Sequence, residues 1–68
     1  MHNVFGQNLK DLRLEKGLGQ IALAKALGVS KGLISLWENG LRDPGMNSLI
    51  TIAKFFDVTI DYLAGLEK

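Results

Sequence analysis

Sixty-eight residues, 47% of them apolar, can close one small core without covalent staples. With no cysteine in the chain, disulfides and thiolate metal sites are excluded, and no apolar run approaches the roughly 20 residues of a membrane-spanning helix. The net charge of +1 names no partner, but residues 1–42 hold six Lys or Arg against three acids (+3), whereas residues 43–68 hold two against four (−2).

The first helix is expected over about 4–16, with Asn3 as candidate N-cap and Phe5, Leu9 and Leu12 as its apolar stripe. Gly17 should stop it, and Leu18 should tuck into the core just beyond. A second helix, Gln20 to Leu27, sets Leu23 and Leu27 one turn apart beside Ala24. Gly28 can then turn the chain at φ > 0, Val29 can fill the angle, and Ser30 is a good N-cap for a third helix. That helix has Ile34 and Trp37, with Leu41 just beyond, on one face and Lys31, Ser35 and Asn39 on the other; Gly40 closes it. Residues 41–45 read as a loop, because Pro44 disfavours helix at Asp43. A fourth helix over 46–56 carries Leu49, Ile52, Ala53 and Phe56 at helical spacing. A short fifth begins at Thr59 as N-cap, turns Ile60 and Leu63 inward and stops at Gly65. The expected fold is all-α, five helices in a single domain over 1–68.

Residues 20–39 form the organising stretch. Two short helices joined by a tight turn, the second pinned along one side and polar along the other, read as a helix-turn-helix presenting its second helix to DNA. The basic part of the chain contains this stretch, as a phosphate-facing surface requires.

The residues also match a known family over about 5–66. L-x-x-L-R at 9–13, G-L-x-Q at 17–20, L-A-x-x-L-G-V-S at 23–30, I-S-x-W-E-x-G at 34–40, R-x-P at 42–44 and I-A-x-x-F-x-V-x-x-D-Y-L at 52–63 together are highly specific. The chain resembles the phage-repressor and Cro-like (Xre-type) DNA-binding domains. The resemblance implies a compact lambda-repressor-like domain in which Gln20 hydrogen-bonds a phosphate and Lys31, Gly32, Ser35 and Leu36 face base edges. It implies a second phosphate clamp from Asn39, Arg42 and the backbone around Gly40 and Leu41, with Ser30 at the start of the reading helix as a further phosphate contact. It pairs Arg13 with Glu38 as a salt bridge between the first and third helices. Two-fold dimers through the fourth and fifth helices are common in the family, and Phe55, Tyr62 and Leu66 are the candidate surface here.

Six positions depart from the family pattern. Gly19 stands where Ser, Thr or Asn is usual, so the second helix lacks a side-chain cap. Gly32 removes a side chain from a base-reading position and lowers helix propensity by about 1 kcal/mol relative to Ala. Leu36 leaves thymine methyl contact as its only direct readout, so Lys31 and Ser35 carry most of the hydrogen-bonding. Leu14, Ile21 and Leu41 are apolar where the family is usually polar; clustered with Leu36 they would mark a protein contact.

Plainer readings stand beside these. Gln20 can be a solvated helix start, Lys31 a surface lysine, Ser35 a donor to its own helix, Asn39 a C-terminal cap and Arg42 an idle loop cation. Trp37 reads as core, and Asp57 with Asp61 as charge near the start of the fifth helix.

The expected function is that of a dimeric, cytoplasmic DNA-binding regulator of the repressor type, its partner double-stranded DNA with a two-fold symmetric operator and half-sites about 34 Å apart. The alternative is a protein-interaction module of the same fold, an antitoxin or adaptor, with Ile21, Leu36 and Leu41 facing a partner. No enzyme, cofactor or metal is expected: His2 is the only histidine, there is no phosphate-cradling glycine loop, and no His–carboxylate spacing suits a metal.

Overall fold

A computed structural model describes residues 4–66, so Asn3 as an N-cap and the placement of His2 lie outside the described residues. The helices are α1 (Val4–Glu15), α2 (Gln20–Leu27), α3 (Lys31–Glu38), α4 (Met46–Phe56) and α5 (Ile60–Ala64), with no strand among the described residues. Only the end of α1 differs from expectation, by one residue, within the fraying of a last turn.

Every helix ends in the same way. One or two residues past each C-terminus a residue has positive φ, and the residue after it donates its N–H to a carbonyl five positions back: Leu18 to Arg13, Val29 to Ala24, Leu41 to Leu36, Val58 to Ala53 and Leu66 to Asp61, all at 2.9–3.1 Å. Four of the five turning residues are glycine, and the fifth is Asp57 at φ 56°. At Gly65 glycine is required twice, since φ is +79° and a Cβ there would run into Val4 at the start of α1. The starts of α3 and α5 are capped as expected: Ser30 Oγ accepts from Leu33 N at 3.1 Å and Thr59 Oγ1 from Tyr62 N at 3.0 Å. Gly19 and Gly45 open α2 and α4 with no side-chain cap.

The core gathers Leu9 and Leu12 of α1, Leu23 and Ala24 of α2, Ile34 and Trp37 of α3, Ile52, Ala53 and Phe56 of α4, and Leu63 of α5. These are the residues whose helical spacing marked them as inward. Leu18, Val29, Phe5, Leu49 and Ile60 pack around them, half-buried. Leu41 does not join them. It is 74% exposed, because Gly40 turns the backbone and Leu41 no longer shares the face of Ile34 and Trp37.

α3 lies against both α1 and α2, while α5 packs on α1 and α4. Phe5 meets Trp37 edge-on at 6.1 Å between centroids, fixing the buried side of α3 against α1. Asn8 Nδ2 donates to the carbonyls of Tyr62 at 2.9 Å and Leu63 at 3.4 Å, tying α1 to the last turn of α5. No helix among the described residues is long and apolar enough to cross a membrane.

Candidate nucleic-acid interface

α3 divides as its sequence requires. Ile34, Trp37 and Glu38 are buried, while Lys31, Gly32 and Asn39 are exposed and Ser35 and Leu36 are half-buried at the edge. The side facing away from α1 and α2 therefore carries an ammonium, an open backbone stretch at Gly32 and a hydroxyl, spaced over about one turn. A Cβ at Gly32 would meet nothing closer than Ser30 Oγ at 3.8 Å, so the gap there is open space. Arg42 is exposed on the loop that follows.

The polar side chains at the end of α3 are already partly engaged. Asn39 Nδ2 donates to the Ser35 carbonyl at 2.9 Å and to Ser35 Oγ at 3.3 Å, so it caps the helix as well as facing outward. The Ser35 hydroxyl, accepting from Asn39, keeps its own O–H for a donor role. Leu41, whose N–H reaches back to Leu36 O at 2.9 Å, brings an exposed leucine to the same helix end as half-buried Leu36. Ile21 and Leu14 are also exposed, at 60% and 56%.

Beneath this surface sits a buried ionic group. Arg13 Nε donates to Glu38 Oε2 at 2.7 Å and Arg13 Nη2 to Glu38 Oε1 at 3.1 Å, the bidentate geometry in which the guanidinium fork matches a carboxylate. Arg13 Nη1 donates to Leu18 O at 2.9 Å, so the pair also holds the α1–α2 turn. Gln20 joins them: its Nε2 donates to Glu38 Oε1 at 3.1 Å. The family resemblance implies the pairing of Arg13 with Glu38, but nothing in it points to this third member. Nor did it mark Asn8, whose side chain fits no apolar stripe and no family motif.

Gln20 is also the first residue of α2, whose N-cap Gly19 offers no side-chain acceptor. The first-turn N–H groups of a helix have no partner within it and, with the positive end of the dipole, favour an anion. A half-buried amide and an uncapped helix start thus lie at one corner of the polar surface.

Of the candidate dimer residues, Leu66 is 75% exposed, while Phe55 and Tyr62 are half-buried against the core. The Phe55 ring stands edge-on to Phe56 at 4.9 Å and lies under Lys16 Nζ, 5.6 Å from its centroid. An open, largely apolar groove of about 680 Å³ runs between the start of α1, the α3–α4 loop and the end of α5, lined by Val4, Phe5, Trp37, Leu41, Pro44 and Leu49.

The profile of the helix-turn-helix family matches residues 9–63. The transcriptional activator BcrR of Enterococcus faecalis is 48% identical over 64 residues, 94% of this chain and 31% of its own length. The c2 repressor of Salmonella phage P22, solved in complex with a synthetic operator, superposes with a TM-score of 0.87 at 30% identity, covering 94% of this chain and 97% of that one. The N-terminal DNA-binding domain of SinR from Bacillus subtilis gives 0.83 at 33% identity, covering 93% of each. Against curated full-length relatives the chain spans less, from about a third to about half of their length. With its five helices and a family match across 9–63, the chain belongs to the helix-turn-helix family, in its Xre/Cro-type, lambda-repressor-like branch.

Proposed function

We propose that this chain is a sequence-specific DNA-binding domain of a transcriptional regulator, of the repressor type, and that it performs no catalysis. α3 enters the major groove with Lys31, Gly32 and Ser35 toward base edges, and Leu36 reaches a thymine methyl at the groove wall. Phosphates are held at the start of α2 by Gln20 and its backbone N–H groups, at Ser30, and around Asn39, Leu41 and Arg42. The observation that carries this reading is the juxtaposition of α3's exposed polar side with the uncapped start of α2. Relatives named as regulators and solved with operator DNA support it. Two copies on a two-fold symmetric operator, meeting through Phe55, Tyr62 and Leu66, complete the proposal, and the place of action is the cytoplasm.

Selection of bound duplexes from a randomised library at about 50 mM and 200 mM salt tests it. An enriched two-fold symmetric site at both salts is expected. Lys31→Ala should then weaken binding and lower the salt slope by about 0.9 if the lysine meets a phosphate, or relax sequence preference if it meets a base. No binding at either salt would overturn the reading.

One observation favours a second reading. Leu41 is 74% exposed at the same end of α3 as Leu36, and Ile21 is exposed on α2, which suits a protein partner better than DNA phosphates. A domain indifferent to heparin and to duplex DNA would belong to this class, an antitoxin-like or adaptor module.

A further inference from the structure

We propose that Glu38 is a positioning residue for the DNA backbone contact of Gln20, so that the buried Arg13–Glu38 pair sets binding as well as stability. This inference rests on the reading of Gln20 as a phosphate contact. The Glu38 carboxylate accepts from Arg13 Nε and Nη2 and from Gln20 Nε2. An ionised carboxylate has no proton to donate, so Gln20 must turn its amide nitrogen inward and cannot flip without setting its own oxygen against Glu38. The amide nitrogen has two hydrogens. One is held by Glu38, and the other is left for an anion at the start of α2.

Arg13 makes this arrangement rigid. Its fork fixes both oxygens of Glu38, and its Nη1 donates to the Leu18 carbonyl in the α1–α2 turn. Glu38 sits in the last turn of α3, the helix that faces bases, while Gln20 opens α2. The shared carboxylate therefore holds the phosphate donor in register with the reading helix. A glutamine ordered before binding spares the complex the ordering of that side chain, an effect of about three- to ten-fold in affinity.

The test is a double-mutant cycle on the full chain, with a mixed-sequence DNA duplex at low salt as the probe. Glu38→Gln, Gln20→Ala and the double variant are compared by Kd, with helix content confirming the fold. Glu38→Gln should weaken binding about three- to ten-fold in the wild-type background and less than two-fold beside Gln20→Ala. The charge that Glu38→Gln uncovers on Arg13 acts in both backgrounds and cancels in the cycle. An equal effect in both would overturn the proposal and leave Glu38 merely structural. If Gln20→Ala binds as well as wild type, the phosphate reading of Gln20 fails first and the positioning role goes with it. Should Glu38→Gln not fold, the unaltered protein decides by NMR. One Nε2 proton of Gln20 shifted well away from the free-glutamine position and protected from exchange with water is expected, and shifts and exchange rates like those of a free glutamine would overturn the role.

Discussion

Arg13 and Glu38 face each other through two parallel hydrogen bonds, at 2.7 and 3.1 Å, with side chains only 9% and 4% exposed. The two charges lie 25 residues apart in the chain, on α1 and α3, in a core otherwise made of Leu, Ile, Ala, Phe and Trp. Moving both out of water is costly, and their attraction repays that cost only when the geometry is good and the remaining donors are satisfied. Here they are: Leu18 and Gln20 occupy the other positions, and no buried side-chain nitrogen or oxygen among the described residues lacks a partner.

Removing one partner should therefore be far worse than removing both. Arg13→Met is expected to lower stability by about 3–5 kcal/mol, because it strands a buried carboxylate. Replacing both with apolar residues of similar size should recover most of that loss. Urea denaturation followed by helical circular dichroism reads both, and equal losses for the single and double variants would show that the pair is effectively solvated.

Asn8 gives a second, independent tie. Its amide crosses to the last carbonyls of α5, where a five-residue helix has little strength of its own. Asn8→Ala should cost about 1 kcal/mol, the net worth of a partly buried hydrogen bond. The loss should localise: amide exchange ought to quicken in α5 before it does in α2 and α3. A uniform change across the helices would mean that α5 does not depend on this bond.

The fold was legible because its signals are local and periodic. Leu23, Ala24, Ile34 and Trp37 announce inward faces by spacing, and Ser30 and Thr59 announce helix starts by side-chain chemistry. Leu41 was misplaced because one glycine before it redirects the chain, and a periodic count runs through that break unaware. The polar side of α3 was legible too, since it is what remains once the buried side is drawn. The Gln20–Glu38 and Asn8–Tyr62 bonds were not, because each joins residues far apart in the chain through side chains whose composition suits solvent equally well.

Asp57 offers a gain in stability. It ends α4 at φ 56°, ψ 48°, where the other four helices have glycine, and a side chain in this left-handed region is strained. Asp57→Gly should stabilise the domain by about 0.5–1 kcal/mol, the relief of strain outweighing glycine's greater freedom when unfolded. Thermal melts at matched concentration measure it. A loss of stability would show that Asp57 makes local hydrogen bonds worth more than the strain.

Gly32 separates folding from function at one atom. It lies inside an eight-residue helix with room for a Cβ, the nearest atom being Ser30 Oγ at 3.8 Å. Gly32→Ala should raise stability by about 0.8–1 kcal/mol through helix propensity alone. The same methyl projects from the side of α3 proposed to face bases, so its effect on DNA binding reports how close the groove comes. If backbone at residue 32 approaches a base edge, affinity for the selected operator should fall while stability rises. If both rise or affinity holds, position 32 stands clear of the groove, and readout rests on Lys31 and Ser35. Denaturation and operator titration on the same preparation decide between the two, and a variant less stable than wild type would mean that the methyl meets a contact absent from this structure.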